Sequence, residues 1–420
     1  MLITQKWDVI VIGGGPAGLA AAISAHDQGA KTCIIEREER LGGILKQCIH
    51  DGFGLVTFKE KLTGPEYAWR YIEQANERNV PVFLNSFVMD LKKDGNIFKL
   101  SLLNSKEGAF YLSAPAIVLA MGCRERTAKQ VFIHGTRPAG VFTAGLAQYF
   151  INIQGYMPTK KCVILGSGDI GLIMARRLTL EGATVHGVYE ILPEPSGLTR
   201  NVVQCLQDYR IPLHLNTTVA KVHGKNRVEG VTINSVKNFK PIPGTEKYID
   251  CDALIVSVGL IPENEIIEPL NVPIDPKTRG PFVDQNLMTM FDGIFSCGNA
   301  LHVNDLVDYV SESGNIAGLN AANFAKENLQ KRNLIPVTPK DNILYVVPQY
   351  VDINQKSEVV IFFRSSRTLK DVKLKVYSDG NNYISKKYKV VRPPEMERII
   401  LNLSKVPSNI SEINIELKGE

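Results

Sequence analysis

Residues 6–36, KWDVIVIGGGPAGLAAAISAHDQGAKTCIIE, are the stretch that most constrains this chain. Val9–Ile12 is a short apolar run of the length of a buried parallel strand. Gly13, Gly15 and Gly18 follow in GxGxxG register, Ala20–Ala25 carries helix formers, and Lys31–Ile35 is a second apolar run closed by Glu36. A strand, a tight turn, a helix, a strand and an acid about 20 residues past the turn make a dinucleotide-binding unit. Gly13 allows the sharp turn. Gly15 lets a pyrophosphate approach the backbone, and Gly18 lets helix and strand pack closely. The helix N-terminus offers free N–H groups and a positive dipole end, and Glu36 can accept both ribose hydroxyls.

The unit recurs. Residues 161–190, KCVILGSGDIGLIMARRLTLEGATVHGVYE, place Gly166, Gly168 and Gly171 after the strand Cys162–Leu165. A helix over Ile170–Leu180, a strand over Thr184–Tyr189 and Glu190 complete it. Two copies of a five-part unit are far more specific than one and imply a second dinucleotide. Glu190 would repel a 2′-phosphate and no Arg cluster follows it, so NADH is preferred to NADPH.

The rest of the chain fits around these units. Residues 64–79 suit a helix, and Asp94-Gly95-Asn96 marks a hairpin among short strands over 81–113. Ala116–Ala120 and Leu254–Gly259 are apolar runs ending at a glycine, and residues 123–157 read as a crossover, loop first and helix after. A buried strand is expected within 289–300 and a helix over about Val307–Asn328. Residues 331–343 carry two prolines and charge and read as a linker. Beyond them, short runs rich in β-branched and aromatic residues (Asn342–Val347, Glu358–Arg364, Val372–Tyr377, Tyr383–Val390, Arg398–Leu403) predict a small antiparallel β module with the outline of a sandwich.

Composition sets bounds. A net charge of +5 over 420 residues argues against a nucleic-acid partner. Most of it, +4, lies from Lys340 onward, where it reads as a solvated basic face or as a docking surface for an acidic partner. The seven cysteines form no CxxC pair and several sit in apolar runs, which points to free thiols in a reducing, cytoplasmic compartment. The fold begins by Trp7, which leaves no room for a signal peptide, and no span of 18 apolar residues predicts a transmembrane helix.

The motifs GGGPAGL with Glu36, LAMG at 119–122, GSGDIG with Glu190, SVGLIPEN and GIFSCGN at 293–299 resemble the two-dinucleotide-binding-domain flavoproteins. This is the glutathione-reductase-like, pyridine nucleotide-disulfide oxidoreductase fold, and the likeness spans about residues 5–330. It implies an α/β chain of two Rossmann-like domains plus the all-β module. The expected segments are a FAD-binding domain at 1–155 and 266–332, an NADH-binding domain at 156–265, and the module at 333–420. It places FAD against Gly13, Gly15, Pro16, Ala17, Gly18, Glu36, Arg37, Gly42, Gly43, Ala120, Gly122, Gly298 and Asn299. It places NADH against Gly166, Gly168, Asp169, Ile170, Gly171, Glu190 and Gly259.

GGILKQCIHDGFG, LAMGCRER, RPAGVFTAGLAQ and NALHVNDLVDYVSESGNIAG narrow the likeness to two sets. One is the NAD(FAD)-dependent dehydrogenases that accompany bacterial glycerol-3-phosphate dehydrogenase-type subunits. The other is the α-subunits of opine, hydrogen-cyanide-synthase and amino-acid oxidases. The β tail, with VPQYV and PPEM, favours the first. The implied partners are a substrate-oxidising flavoprotein and a small Cys-containing protein, and a homo-oligomer is compatible with this. A stand-alone NADH oxidase and a scaffold that binds through the β tail are the alternatives.

Two departures stand out. The positions of the redox-active cysteine pair are Leu45 and His50, and the usual Gly-Asp that holds the flavin ribityl chain is Gly298-Asn299. Cys48 is then a candidate redox thiol or a structural one, and His50 a flavin-facing or a loop-packing residue. Asp305 is a candidate catalytic group or a helix N-cap, with His302 and Asp308 nearby. Arg124 and Arg126 are surface charges or have a cofactor-phosphate or interdomain role.

Overall fold

The computed structural model describes residues 4–327 and 331–419. The chain divides into two compact units, one reaching to Cys123 and resuming at Pro262, the other formed by Arg124–Ile261.

The first unit is centred on a five-stranded parallel sheet. Its order is Ile294–Ser296, Ala116–Leu119, Val9–Ile12, Thr32–Ile35 and Val82–Phe83. The strands are apolar but for Thr32 and Ser296, because both faces are covered. Val9, Val11, Ile34 and Val118 pack with helices α1 (Pro16–Asp27) and α2 (Gly64–Glu77). Ile10, Ile12, Ile35 and Ile117 face the four-stranded sheet of Thr4–Lys6, Gly108–Ala114, Ile97–Asn104 and Ser86–Asp94. The last two strands are the hairpin, with Asp94 paired to Ile97. The helix expected over Val307–Asn328 is Val307–Lys326, and Asn328 lies outside the described residues. It packs backbone to backbone with α1: a Cβ on Gly314 would sit 2.2 Å from Ala17 O, and one on Gly318 2.0 Å from Ala21 O.

The second unit repeats the plan with a five-stranded parallel sheet of Val141–Thr143, Ala253–Val256, Lys161–Leu165, Thr184–Tyr189 and Leu213–His214. Helices α3 (Ala144–Asn152) and α4 (Asp169–Leu180) pack on one face, with the short α5 (Thr199–Val202) beside α4. The antiparallel strands Thr217–His223, Gly230–Lys237 and Lys247–Asp250 cover the other. The first boundary falls at Cys123/Arg124 rather than the expected 155/156. Val141–Thr143 is an edge strand of the second sheet and His134–Gly135 pairs with Thr217–His223, so the crossover belongs to the second unit.

The β module has two sheets. One orders Tyr350–Asp352, Leu334–Pro339, Ile413–Gly419, Leu369–Ser378 and Asn381–Val391, and the other Ile343–Val347, Glu358–Ser365 and Glu397–Asn402. Their inner faces share one core that includes Val337, Phe363, Leu374 and Leu401. Two expectations are corrected. Residues 331–343 are no linker, because Leu334–Pro339 is a strand and Arg332 is bonded to Asp284 Oδ2 at 2.8 Å. The module is also not wholly antiparallel, since Leu334–Pro339 and Ile413–Gly419 run parallel. It belongs to the first compact unit, and Tyr345 and Val347 join that unit's main core.

Candidate functional site

In the first unit the turn after Val9–Ile12 is built by close approach. Gly13 has φ +108°, and a Cβ there would lie 2.4 Å from Ala120 O. A Cβ on Gly18 would lie 1.8 Å from Gly13 O, so only glycine lets α1 begin here. Pro16 is the first residue of α1, and Gly15 precedes it with no side-chain cap. The first-turn N–H groups of Ala17 and Gly18 therefore have no intrahelical acceptor. Above Gly15 the space is open, with Gly43 Cα at 3.8 Å the nearest atom to its virtual Cβ. Gly42 donates to Gly14 O at 2.8 Å, which folds the second glycine pair onto the turn. Glu36 is buried, and its carboxylate accepts the N–H groups of Gly14 and Glu38, both at 2.8 Å. Arg37 reaches out to Glu263 at 3.2 Å.

Gly298 closes the same cradle from the strand Ile294–Ser296. Its N–H donates to Ser313 Oγ at 2.8 Å, and a Cβ there would lie 2.7 Å from Ala17 Cβ. Asn299 Oδ1 accepts the Asn304 N–H at 3.0 Å, which leaves its amide NH2 for a donor role. Ser296 Oγ, His302 Nδ1 and Asn304 Oδ1 are buried without a hydrogen-bond partner among the described residues. Unmet polar atoms along 296–304, an open glycine turn and free helix N–H groups fit a polar, phosphate-bearing cofactor, as expected for FAD. Gly122 (φ +75°) follows the Ala116–Leu119 strand with open space around it, and its carbonyl accepts the Glu263 N–H at 3.0 Å.

The second cradle has the same frame. A Cβ on Gly166 would lie 1.9 Å from Ser257 O and one on Gly171 2.5 Å from Gly166 O, whereas Gly168 faces open space. Gly168 precedes α4 with no side-chain cap, which frees the first-turn N–H groups of Asp169, Ile170 and Gly171. Asp169 turns its carboxylate to Leu198 N–H (2.8 Å) and Asn201 Nδ2 (2.7 Å) rather than leaving it free at the turn. Glu190 is more enclosed than Glu36. It accepts from Ser167 N (2.9 Å), Ser167 Oγ (2.6 Å), Ser196 Oγ (2.8 Å) and Leu192 N (3.1 Å). Gly259 has φ +102°, with Arg126 Nε 3.9 Å from its virtual Cβ and the Arg126 N–H bonded to its carbonyl at 3.0 Å. Arg124 is exposed.

Cys48 and His50 sit apart in character. The Cys48 thiol is buried, donates to Ile44 O at 3.4 Å, and burial pushes its pKa up to about 12. Such a thiol is held protonated and packs as a core group. The partly exposed His50 ring lies 4.9 Å from Phe53, with Nδ1 3.2 Å from Asp51 O.

Asp305 is not the N-cap expected for the Val307–Lys326 helix. Leu306 takes that position without a side-chain cap, and Asp305 instead pairs with Arg364 of the β module and accepts Met396 N–H at 2.6 Å. Arg364 also donates to Tyr345 OH (2.9 Å) and Val303 O (3.2 Å). His302, beneath them, faces the rings of Tyr345 and Phe362, and burial followed by the Arg364 charge lowers its pKa to about 3. Asp308 accepts Thr57 N–H at 2.7 Å, and Tyr67 OH donates to Ser311 Oγ at 2.9 Å. Arg364, Tyr345, Thr57 and Tyr67 were not legible as site neighbours, since each comes from a segment remote in sequence.

A family model described as pyridine nucleotide-disulphide oxidoreductase matches residues 7–314. The chain is 24% identical over 306 residues to a ferredoxin–NADP reductase of Picrophilus torridus, across 71% of this chain and 87% of that protein. It is 28% identical over 287 residues to hydrogen cyanide synthase subunit HcnB of Pseudomonas protegens, covering 63% of this chain and 58% of that protein. The solved thioredoxin reductase of T. acidophilum superposes with a TM-score of 0.62 at 20% identity, covering 76% of this chain and 98% of that one, which shows the shared fold. The chain belongs to the pyridine nucleotide-disulphide oxidoreductase family, as an FAD-dependent enzyme that works with NAD(P)H.

Proposed function

We propose that this chain moves hydride between NADH and FAD, and electrons to or from a partner flavoprotein, without a redox-active disulfide. The observation that carries the reading is the segment after Gly42-Gly43. Leu45 and His50 stand where the resemblance places paired cysteines, and the one thiol between them, Cys48, is buried and held protonated. FAD, once bound, supplies the ring that exchanges hydride with the nicotinamide. The chain's part is binding and orientation. The free N–H groups at the start of α1 and α4 take the two pyrophosphates, and Glu36 and Glu190 keep carboxylate lone pairs for ribose hydroxyls. Glu190 favours NADH over NADPH, because a 2′-phosphate would meet a buried carboxylate. By the resemblance the helix Val307–Lys326 points its N-terminus at the flavin, where its dipole favours negative charge on the reduced ring.

The partner reading rests on HcnB, a protein named as a subunit, and on the sequence likeness to electron-transfer subunits beside glycerol-3-phosphate dehydrogenase-type and opine-oxidase proteins. Anaerobic stopped-flow mixing of the FAD-loaded chain with NADH tests the core of it. Rapid bleaching of the flavin, unchanged in Cys48→Ser and slower with NADPH, is expected. Absence of bleaching, or its loss in Cys48→Ser with FAD still bound, overturns the reading.

A further inference from the structure

The second unit holds a cavity of about 470 Å³ at the outer edge of its parallel sheet. His186, Tyr189 and His214 form one wall, and Thr217, Ile233, Ser235 and Lys247 of the antiparallel sheet face them. Tyr189 and His214 adjoin Glu190, whose N–H donates to His214 O at 2.8 Å, and His186 lies four residues before Glu190, roughly 13 Å back at about 3.3 Å per residue.

Three features build this site. The strand Thr184–Tyr189 carries a bulge at His186, where the pairing with Lys161–Leu165 jumps from Val185 to Gly187. A bulge re-aims a side chain, here into the cavity wall. Gly187 makes room beside it: a Cβ there would lie 3.1 Å from His214 Cδ2, and the His214 ring stacks on Tyr189 at 4.7 Å and 15°. His186 Nε2 is buried with no hydrogen-bond partner among the described residues.

The lining is donor-rich and holds no carboxylate. Glu246, just ahead of the Lys247–Asp250 strand, is engaged with the Asn234 side chain, and Asp250 at its end pairs with Lys161 at 3.2 Å. His214 has its pKa lowered by burial and then by the neighbouring Lys247 charge. Lys247 pairs in register with Ile233, and Thr217 with Ser235, so one sheet face presents an ammonium and hydroxyl-bearing residues over an apolar floor.

We propose that this cavity is a binding site for a small multivalent oxyanion, a phosphate or polycarboxylate, held by Lys247, His214 and His186 and separate from the nucleotide cradle. This does not depend on the proposed electron-transfer role. The test is calorimetric titration of the full-length FAD-bound protein, with NAD+ at saturation to fill the second cradle, using inorganic phosphate and citrate in separate runs. Saturable one-site binding of either anion is expected, weakened at least tenfold in Lys247→Gln. The anion that binds identifies the class. Lys247 is exposed, so the variant keeps its fold, which its flavin spectrum verifies. No saturable binding of either anion, or wild-type affinity in Lys247→Gln, overturns the proposal.

Discussion

His302 is a titratable group placed where its charge is least tolerated. It is 2% exposed, bounded by Tyr345, Phe362 and the Arg364 guanidinium. Its pKa falls from 6.5 to about 3 on folding, so between those values the unfolded chain binds a proton that the folded chain refuses. Stability is therefore full above pH 6.5 and drains as pH falls toward 3. A pH step from 7 to 5 removes about 2 kcal/mol through this one group. Melting of wild type and His302→Leu at both pH values checks it: the variant, lacking the titration, loses less on acidification. At this scale the close-packed glycine turns were readable, because a turn that brings backbone within 3 Å of backbone leaves one residue type. The four donors around Glu190 were not, since Ser196 reaches it from a loop with no spacing signature. Asp305 misled for the opposite reason: an acid just ahead of a helix reads as a cap, and a partner 59 residues away took its charge.

Elements follow the same division between local and long-range causes. Strands buried on both faces announce themselves as apolar runs, so Val9–Ile12, Thr32–Ile35 and Ala253–Val256 lie close to where the sequence puts them. Leu334–Pro339 was hidden by its prolines. Pro336 precedes the pairing with Ile413–Gly419, which starts at Val337, and Pro339 is the last residue of the strand, so neither ring interrupts that ladder. The segment that carries most consequence for the site is the strand Glu358–Ser365, which delivers Arg364 to Asp305 and Val303, just ahead of the helix Val307–Lys326. Arg364→Met removes the guanidinium that pairs with Asp305, whose side chain is 18% exposed, and strips a donor from Val303 O. Removing one partner of a buried pair costs about 3 kcal/mol. The expected outcome is a lower melting temperature and FAD lost on gel filtration, followed by absorbance at 450 nm. Arg364→Lys falls between, since an ammonium keeps the charge but cannot span the same acceptors.

At the scale of the whole chain, the repeat of the nucleotide unit made two Rossmann-like halves legible, whereas the standing of the β tail was not. Strand-rich composition after a proline-bearing stretch describes a detachable docking module as well as a structural one. The contacts favour the structural one. Gln349 donates to Asp275 Oδ2 at 2.9 Å and accepts the Val283 N–H at 3.1 Å, and Gln285 accepts the Asp352 N–H at 2.7 Å. Asp275, Val283 and Gln285 are all buried in the first unit. Ending the chain at Arg332 would strip these groups of their protein partners, a net loss of about 1 kcal/mol per hydrogen bond, and expose to water the apolar core that Tyr345 and Val347 fill. Against a typical total stability of about 5–15 kcal/mol, that loss is a large share for the first unit. The truncated chain should bind the dye ANS, elute as aggregate and carry no flavin. A separable tail predicts the reverse, a monodisperse yellow protein that NADH still bleaches, so one purification of the truncated chain distinguishes a wall of the flavin domain from an appendage to it.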